Sequence, residues 1–269
     1  MSIDYVAGDD HVVIITINRP EARNAMDAEH FFRLRCAWER FGGDDDAYVA
    51  IVTGVGQDFC VGADLKSYIP LLTALQRKRD EGQEAEIDGY RLEDGIKAVL
   101  RGVELYKPVI AAVNGNCVAG GMEMLGGCDL RVASDTARFG VMEPKRGLFA
   151  GGGTTVRLPR QLPYPAAMEL LLCADRVSAQ RAYEMGLLNE VCRPADLMDR
   201  AYDYAHRITA NGPFAIRKTK ESVLRALATD MEAAYQIEAE ISDEVFSSED
   251  AQEGPKAFAE KRTPDWKNR

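Results

Sequence analysis

One stretch constrains this chain more than any other: Val113-Asn114-Gly115-Asn116-Cys117-Val118-Ala119-Gly120-Gly121-Met122-Glu123. An apolar run from Pro108 to Val113 reads as a buried strand, Asn114-Gly115 turns it, and Gly120-Gly121 opens a short helix. At a helix N-terminus the first N–H groups lack intrahelical partners and the macrodipole is positive. Glycine there lets a ligand oxygen come close to the backbone. Glu123 follows Gly120 by one helical turn, which puts both on one side. A single turn then offers an anion-stabilising N–H and a carboxylate to the same small molecule. The same residues also suit a glycine-rich packing contact with Glu123 in solvent, and taken alone the stretch favours that plainer alternative.

A chain of 269 residues supports one large domain, or a core with an appendage. No apolar run reaches membrane-spanning length, and no basic-then-apolar secretory pattern opens the chain, so neither a membrane nor export is expected. Cys36, Cys60, Cys117, Cys128, Cys173 and Cys192 are scattered through apolar surroundings without a CxxC pair. They read as reduced core residues of a cytoplasmic protein, not as a disulfide framework or zinc site. His11, His30 and His206 have no metal-ligand spacing, so no metal is expected and histidine-based catalysis has little to draw on. A net charge of -10 argues against nucleic acid as a partner.

Along the chain, residues 12–17 are β-branched and predict a strand ended by Asn18-Arg19-Pro20. Asp27 is placed to cap a helix running to about Phe41, with Phe31, Leu34 and Trp38 at helical spacing. Tyr48 to Thr53 is another buried strand, closed by Gly54-Val55-Gly56, whose dinucleotide reading fails because Phe59 stands where a third glycine belongs. Phe59 to Lys66 reads as a tight turn into a helix. Residues 67–106 read as a long polar helical segment, its charged run Gln76 to Glu81 a solvated face. Asp129 to Ala133 and Phe139 to Glu143 read as strands, and Gly151-Gly152-Gly153 as another glycine-rich helix start. From Pro165 onward helical patterns dominate. The fold class is therefore α/β with a helical C-terminal appendage.

Four segments in order resemble the crotonase superfamily of enoyl-CoA hydratases and isomerases: Ile17 to Met26, Phe59 to Lys66, Val113 to Asp129, and Phe139 to Leu158. The ending, from Glu249-Asp250 to Lys261-Arg262, is similar to that family's as well. The resemblance covers essentially the whole chain. It implies a spiral of ββα units over residues 1–200 and a C-terminal helical region, residues 201–269, that builds a homo-trimer or hexamer. It implies no permanently bound cofactor, and coenzyme A as part of an acyl thioester substrate.

By position, Ala63 and Gly120 match the two backbone N–H donors of the family's oxyanion hole. Glu123 and Glu143 match the two catalytic glutamates that its hydratases carry, and many isomerising, hydrolysing or decarboxylating relatives keep only one or neither. The implied reaction is reversible addition of water to a trans-2-enoyl-CoA, giving a 3-hydroxyacyl-CoA. Alternatives are an enoyl-CoA isomerase, a carnitinyl-CoA-type dehydratase, and a non-catalytic acyl-CoA-binding scaffold. Softer carry-overs are Ala22, Arg23, Asn24 and Ala25, with Asp64, Leu65 and Lys66, beside the coenzyme. Gly151 matches a glycine near the acyl pocket, and Lys261 reaches the phosphates from a neighbouring subunit. Two positions depart from the pattern: Ala119 stands where relatives often have glycine, and Met142 where proline is common.

Overall fold

The computed structural model describes residues 3–269. Its strands, in chain order, are β1 (Ile3–Ala7), β2 (Val12–Ile17), β3 (Val49–Gly54), β4 (Asp58–Cys60), β5 (Glu86–Ile87) and β6 (Tyr90–Arg91). Then come β7 (Val109–Val113), β8 (Asn116–Val118), β9 (Leu130–Ser134), β10 (Arg138–Gly140), β11 (Val177–Ser178) and β12 (Glu190–Cys192). One sheet has the order β1-β2-β3-β7-β9-β12 and a second β11-β10-β8-β4, while β5 and β6 form a small hairpin. From β2 through β12 the large sheet is parallel, and all of β7 is buried, as a strand covered on both faces requires.

Alternation along the strands sorts the core into two layers. Val13, Ile15, Ala50, Val52, Ala111 and Val113 face the larger cluster, which Trp38, Phe41 and Phe139 help fill. Val12, Ile51, Ile110, Ala112 and Val132 face the opposite way and are covered by Leu197, Ala201 and Ala205. Those three recur every fourth residue on the helix Leu197–Thr209, whose packing on the sheet runs across residue 200.

The first helix, α1 (Ala28–Gly43), starts where the sequence puts it: the Asp27 side chain accepts from the His30 N–H at 3.1 Å. The segment after Ser67 departs from the expected long helix. It is α2 (Tyr68–Asp80), the β5–β6 hairpin and α3 (Leu92–Ala98). Asp88 and Gly89 both have positive φ, the Asp-Gly chemistry of a type I′ hairpin turn, and this breaks the helix. Residues 139–143 also depart from one continuous strand, because β10 stops at Gly140 and a 3₁₀ turn takes over at Glu143–Arg146. Pro144 has no N–H for a ladder and its fixed φ suits the first turn of a helix. The cysteines divide: Cys60, Cys117 and Cys128 are buried as expected, but Cys36 and Cys192 are half-buried and Cys173 is exposed. None of the helices described is long and apolar enough to cross a membrane.

Asn24 locks the loop after β2 to the turn after β3. It is fully buried; Nδ2 donates to Val55 O at 3.0 Å and Asp58 O at 2.6 Å, and Oδ1 accepts from Arg19 N at 3.0 Å. Its φ of 56° is one that asparagine tolerates better than most residues. Asn24→Ala leaves Arg19 N and Val55 O without that partner, while Asp58 O keeps Asn114 Nδ2 at 3.2 Å, and it is expected to cost about 2–3 kcal/mol in denaturant unfolding. Asn24→Gly loses the same bonds but relieves the left-handed backbone, and should be milder by about 1 kcal/mol.

Candidate active site

Three parallel strands lie side by side, β4 and β10 flanking β8, with Cys60 opposite Cys117 and Gly140 opposite Val118. Their C-terminal ends deliver Ala63, Gly120 and Glu143 to one place. Ligands in open α/β sheets bind outside the carboxyl ends of the strands for the same topological reason.

Ala63 follows β4 and pairs with Met26 in an isolated parallel bridge. Met26 N donates to Gly62 O and Asp64 N to Met26 O, each at 2.8 Å, so the neighbours of Ala63 use up the bridge. The Ala63 N–H itself donates to no carbonyl among the described residues. Gly120 opens α4 (Gly120–Leu125), and its N–H, first of the helix, has no intrahelical acceptor. The two loops touch: a Cβ on Gly120 would sit 3.6 Å from Ala63 N, and one on Gly62 would sit 3.0 Å from Gly120 N. Two unspent N–H donors therefore stand next to each other. Ala119, capping α4, has φ 50° and ψ -122°, a conformation suited to glycine and costing about 1–3 kcal/mol in any other residue.

Glu123 is half-buried one turn into α4, not out in solvent. Its Oε1 accepts from the Gly152 N–H. Burial pushes its pKa up, while that hydrogen bond and the nearby Arg157 and Arg101 pull the other way. Arg157 donates to the backbone oxygens of Glu123 and Val99, both at 3.0 Å, and to that of Leu100; Arg101 donates to Gly151 O. Glu143 has fewer supports: its Oε2 is buried with no partner. Burial first, and the Glu123 charge second, push its pKa up to about 7, against the opposing pull of the Glu143 and Met142 N–H groups. The two carboxyls thus share one desolvated space, and Glu143 gives up its proton near neutrality.

The remaining sequence-predicted residues divide. Ala22 and Ala25 are half-buried and held by Arg19, whose backbone oxygen accepts from Ala22 N at 3.1 Å and whose guanidinium donates to Ala25 O at 3.0 Å and pairs with Asp64 at 2.9 Å. Asp64 also accepts from Lys66 N at 2.9 Å, so it is spent on shaping the loop. Arg23 is committed to Asp58 through two bonds, at 3.1 and 3.0 Å, and Asn24 to the cross-link above. Leu65 and Lys66 are exposed. Gly151 is exposed and meets Arg101, while its neighbour Gly152 is the residue that touches Glu123. Lys261 is exposed in a left-handed cap at the end of the last helix (Glu249–Glu260) and joins none of the site residues of its own chain. Sequence reasoning missed Arg19, Gly152 and Arg157. The triple glycine pointed to the right turn without saying which N–H faces the carboxylate.

The sequence matches the enoyl-CoA hydratase/isomerase family over residues 8–269. The chain belongs to that family. It is 41% identical to an enoyl-CoA hydratase of Mycobacterium tuberculosis, covering 96% of this chain and 94% of the relative. It is 35% identical to a carnitinyl-CoA dehydratase of Proteus mirabilis, covering 96% and 95%. The crystal structure of an enoyl-CoA hydratase from Bacillus anthracis superposes with a TM-score of 0.88 at 32% identity, covering 100% of both chains. The crotonase-type α/β architecture read from the four segments is thereby established.

The raised Glu143 pKa is also a statement about stability. Between the ordinary value of 4.5 and about 7 the folded state holds a proton that the unfolded state has lost. Stability from this group is therefore full below about 4.5 and falls as pH rises, levelling off above 7 after a loss of about 3 kcal/mol. Glu143→Gln escapes this loss. Its stability relative to wild type should rise by about 2–3 kcal/mol between pH 4.5 and pH 8, read from denaturant midpoints at each pH. A difference independent of pH would contradict the assignment.

Proposed function

We propose that this member of the family is an enoyl-CoA hydratase, adding water reversibly to a trans-2-enoyl-CoA to give a 3-hydroxyacyl-CoA. One observation carries the reading: two carboxyls of raised pKa meet beside two adjacent, unspent backbone N–H donors. Addition of water to the β-carbon drives charge onto the thioester oxygen. The Ala63 and Gly120 N–H groups receive that oxygen and stabilise the enolate more than the ground-state carbonyl. A single donor of this kind is worth about 3–4 kcal/mol. Glu123, whose carboxylate accepts from the Gly152 N–H and faces Arg157 and Arg101, takes the proton of the attacking water. Glu143, protonated near neutrality, delivers a proton to the α-carbon. The reverse sequence dehydrates the 3-hydroxyacyl thioester.

The coenzyme runs along Ala22–Ala25 and Leu65–Lys66, with Lys66 as the cation for its phosphates, because Arg23 already serves Asp58. Residues 1–200 form the catalytic core and 201–269 an oligomerisation region that completes a trimer or hexamer, in which Lys261 meets the neighbour's coenzyme. Exposed Leu227, Met231, Phe246 and Phe258 on the C-terminal helices support this assembly. The enzyme works in the cytoplasm without a resident cofactor.

The test follows loss of enoyl-thioester absorbance over a panel of trans-2-enoyl-CoAs in isotopically labelled water. Wild type is expected to incorporate one solvent oxygen, and Glu123→Gln and Glu143→Gln to lose about 10²–10⁴ in kcat with binding retained. In the hydration direction kcat/KM should fall above about pH 7, as Glu143 loses its proton. Double-bond migration without oxygen uptake, with only one variant impaired, would turn the assignment to the isomerase. Binding without turnover would turn it to the scaffold.

A further inference from the structure

The strand β4 ends at Cys60, so the Ala63 N–H is carried by a loop beyond the sheet. That loop meets the rest of the backbone at the isolated bridge to Met26, whose two hydrogen bonds run from Met26 N to Gly62 O and from Asp64 N to Met26 O. Two hydrogen bonds outside a ladder open more readily than the same pair inside a sheet. Met26 also reaches the second donor. A Cβ on Gly120 would sit 3.6 Å from Met26 Cε and equally 3.6 Å from Ala63 N. The register of this one bridge therefore sets where the two N–H groups stand relative to each other.

Arg19 closes the bridge from both sides. Its Nη1 donates to the oxygen of Ala25, the residue before Met26, at 3.0 Å, and to Oδ2 of Asp64, the residue after Ala63, at 2.9 Å. Oδ2 of Asp27, the residue after Met26, lies 3.6 Å from the same nitrogen. The other Asp64 oxygen accepts from Lys66 N at 2.9 Å and Ser67 N at 3.3 Å, so one carboxylate grips the guanidinium and the turn into α2 together. The arginine stands on a fixed base: its N–H donates to Oδ1 of the buried Asn24 at 3.0 Å, and its oxygen accepts from Asn24 N at 2.9 Å. With side chains only 22% and 18% exposed, the Arg19–Asp64 pair is screened less than one on open surface.

We propose that Arg19 is a positioning residue for the oxyanion donors. By stapling Ala25 and Asp64 across the Met26 bridge, its guanidinium holds the Ala63 N–H beside that of Gly120. It bonds to neither glutamate and acts through the loop alone. This rests on the hydratase reading in one respect, that the two N–H groups receive the thioester oxygen. Misplacing such a group by about 1 Å costs about 10²-fold in rate. Charge on the oxygen is greatest in the transition state, so a slackened donor lowers kcat more than it weakens binding.

The test pairs hydration kinetics with infrared spectra of a bound saturated acyl-CoA, labelled with carbon-13 at the thioester carbonyl. That stretch falls in frequency when N–H donors polarise it, and a merely structural residue would leave it in place. Arg19→Met is expected to lower kcat by about 10–100-fold with KM within about threefold, and to abolish most of the carbonyl shift that the wild type shows on binding. Asp64→Asn keeps an oxygen for Lys66 N and Ser67 N but loses the charge facing Arg19. It should show the same pattern more weakly, and the double variant should be no worse than Arg19→Met, since both changes break one staple. An unchanged kcat in Arg19→Met, or a lowered kcat with the bound carbonyl band unmoved, overturns the proposal. Asp64→Asn decides by the same two readouts should Arg19→Met fail to fold. If the wild type turns over no enoyl thioester, the hydratase reading fails and the carbonyl band alone judges Arg19. A wild-type shift lost in the variant then upholds the staple; no wild-type shift, or one that survives the substitution, overturns it.

Discussion

The cost of keeping two carboxyl groups in one desolvated space governs this molecule. A carboxylate removed from water needs hydrogen bonds or opposite charge, and without them it keeps its proton instead. Glu123 receives both kinds of support, from Gly152 N–H and from Arg157 and Arg101. Glu143 has an unpartnered oxygen and the Glu123 charge against it. The asymmetry of the surroundings holds the Glu143 proton up to about pH 7 although the two side chains are identical.

That asymmetry depends on backbone placement. The parallel strands β4, β8 and β10 end side by side, which brings residues far apart in sequence into one small volume. Close approach of the loops requires Gly62 at φ 95° and leaves Ala119 in a conformation that glycine adopts more easily. Strain at Ala119 is the local cost of aiming the Gly120 N–H beside that of Ala63. The strands on either side hold it in place, because Cys60, Cys117 and Phe139 of this sheet are buried in the main cluster.

Much of this was legible in the sequence. The β-branched run at 12–17, the Asp27 cap and the glycine pair at 120–121 each state a local preference, and local preference decided them. The glutamate pair and the two backbone donors proposed for the oxyanion were reached through family resemblance, since neither burial nor mutual proximity is written into Glu123 or Glu143 alone. The partners that tune Glu123 come from residues 152 and 157, on a different element, and no spacing rule relates them. The Asp88-Gly89 turn was a local signal outweighed by the helical polarity of its flanks. Pro144 was a second one, ending β10 before Glu143. Arg23 illustrates the opposite limit: its sequence suggests a free cation, and only the fold places Asp58 against it.

The central claim is that Glu143 is a neutral acid where most carboxyls are ionised. Infrared difference spectroscopy of a pH titration, wild type against Glu143→Gln, reads this directly through the carbonyl band of a protonated carboxyl. The account predicts a band present at pH 6 that bleaches around pH 7 and is missing from Glu143→Gln. A wild type whose band is already gone at pH 6, with its loss centred near the ordinary carboxylate value, would contradict it.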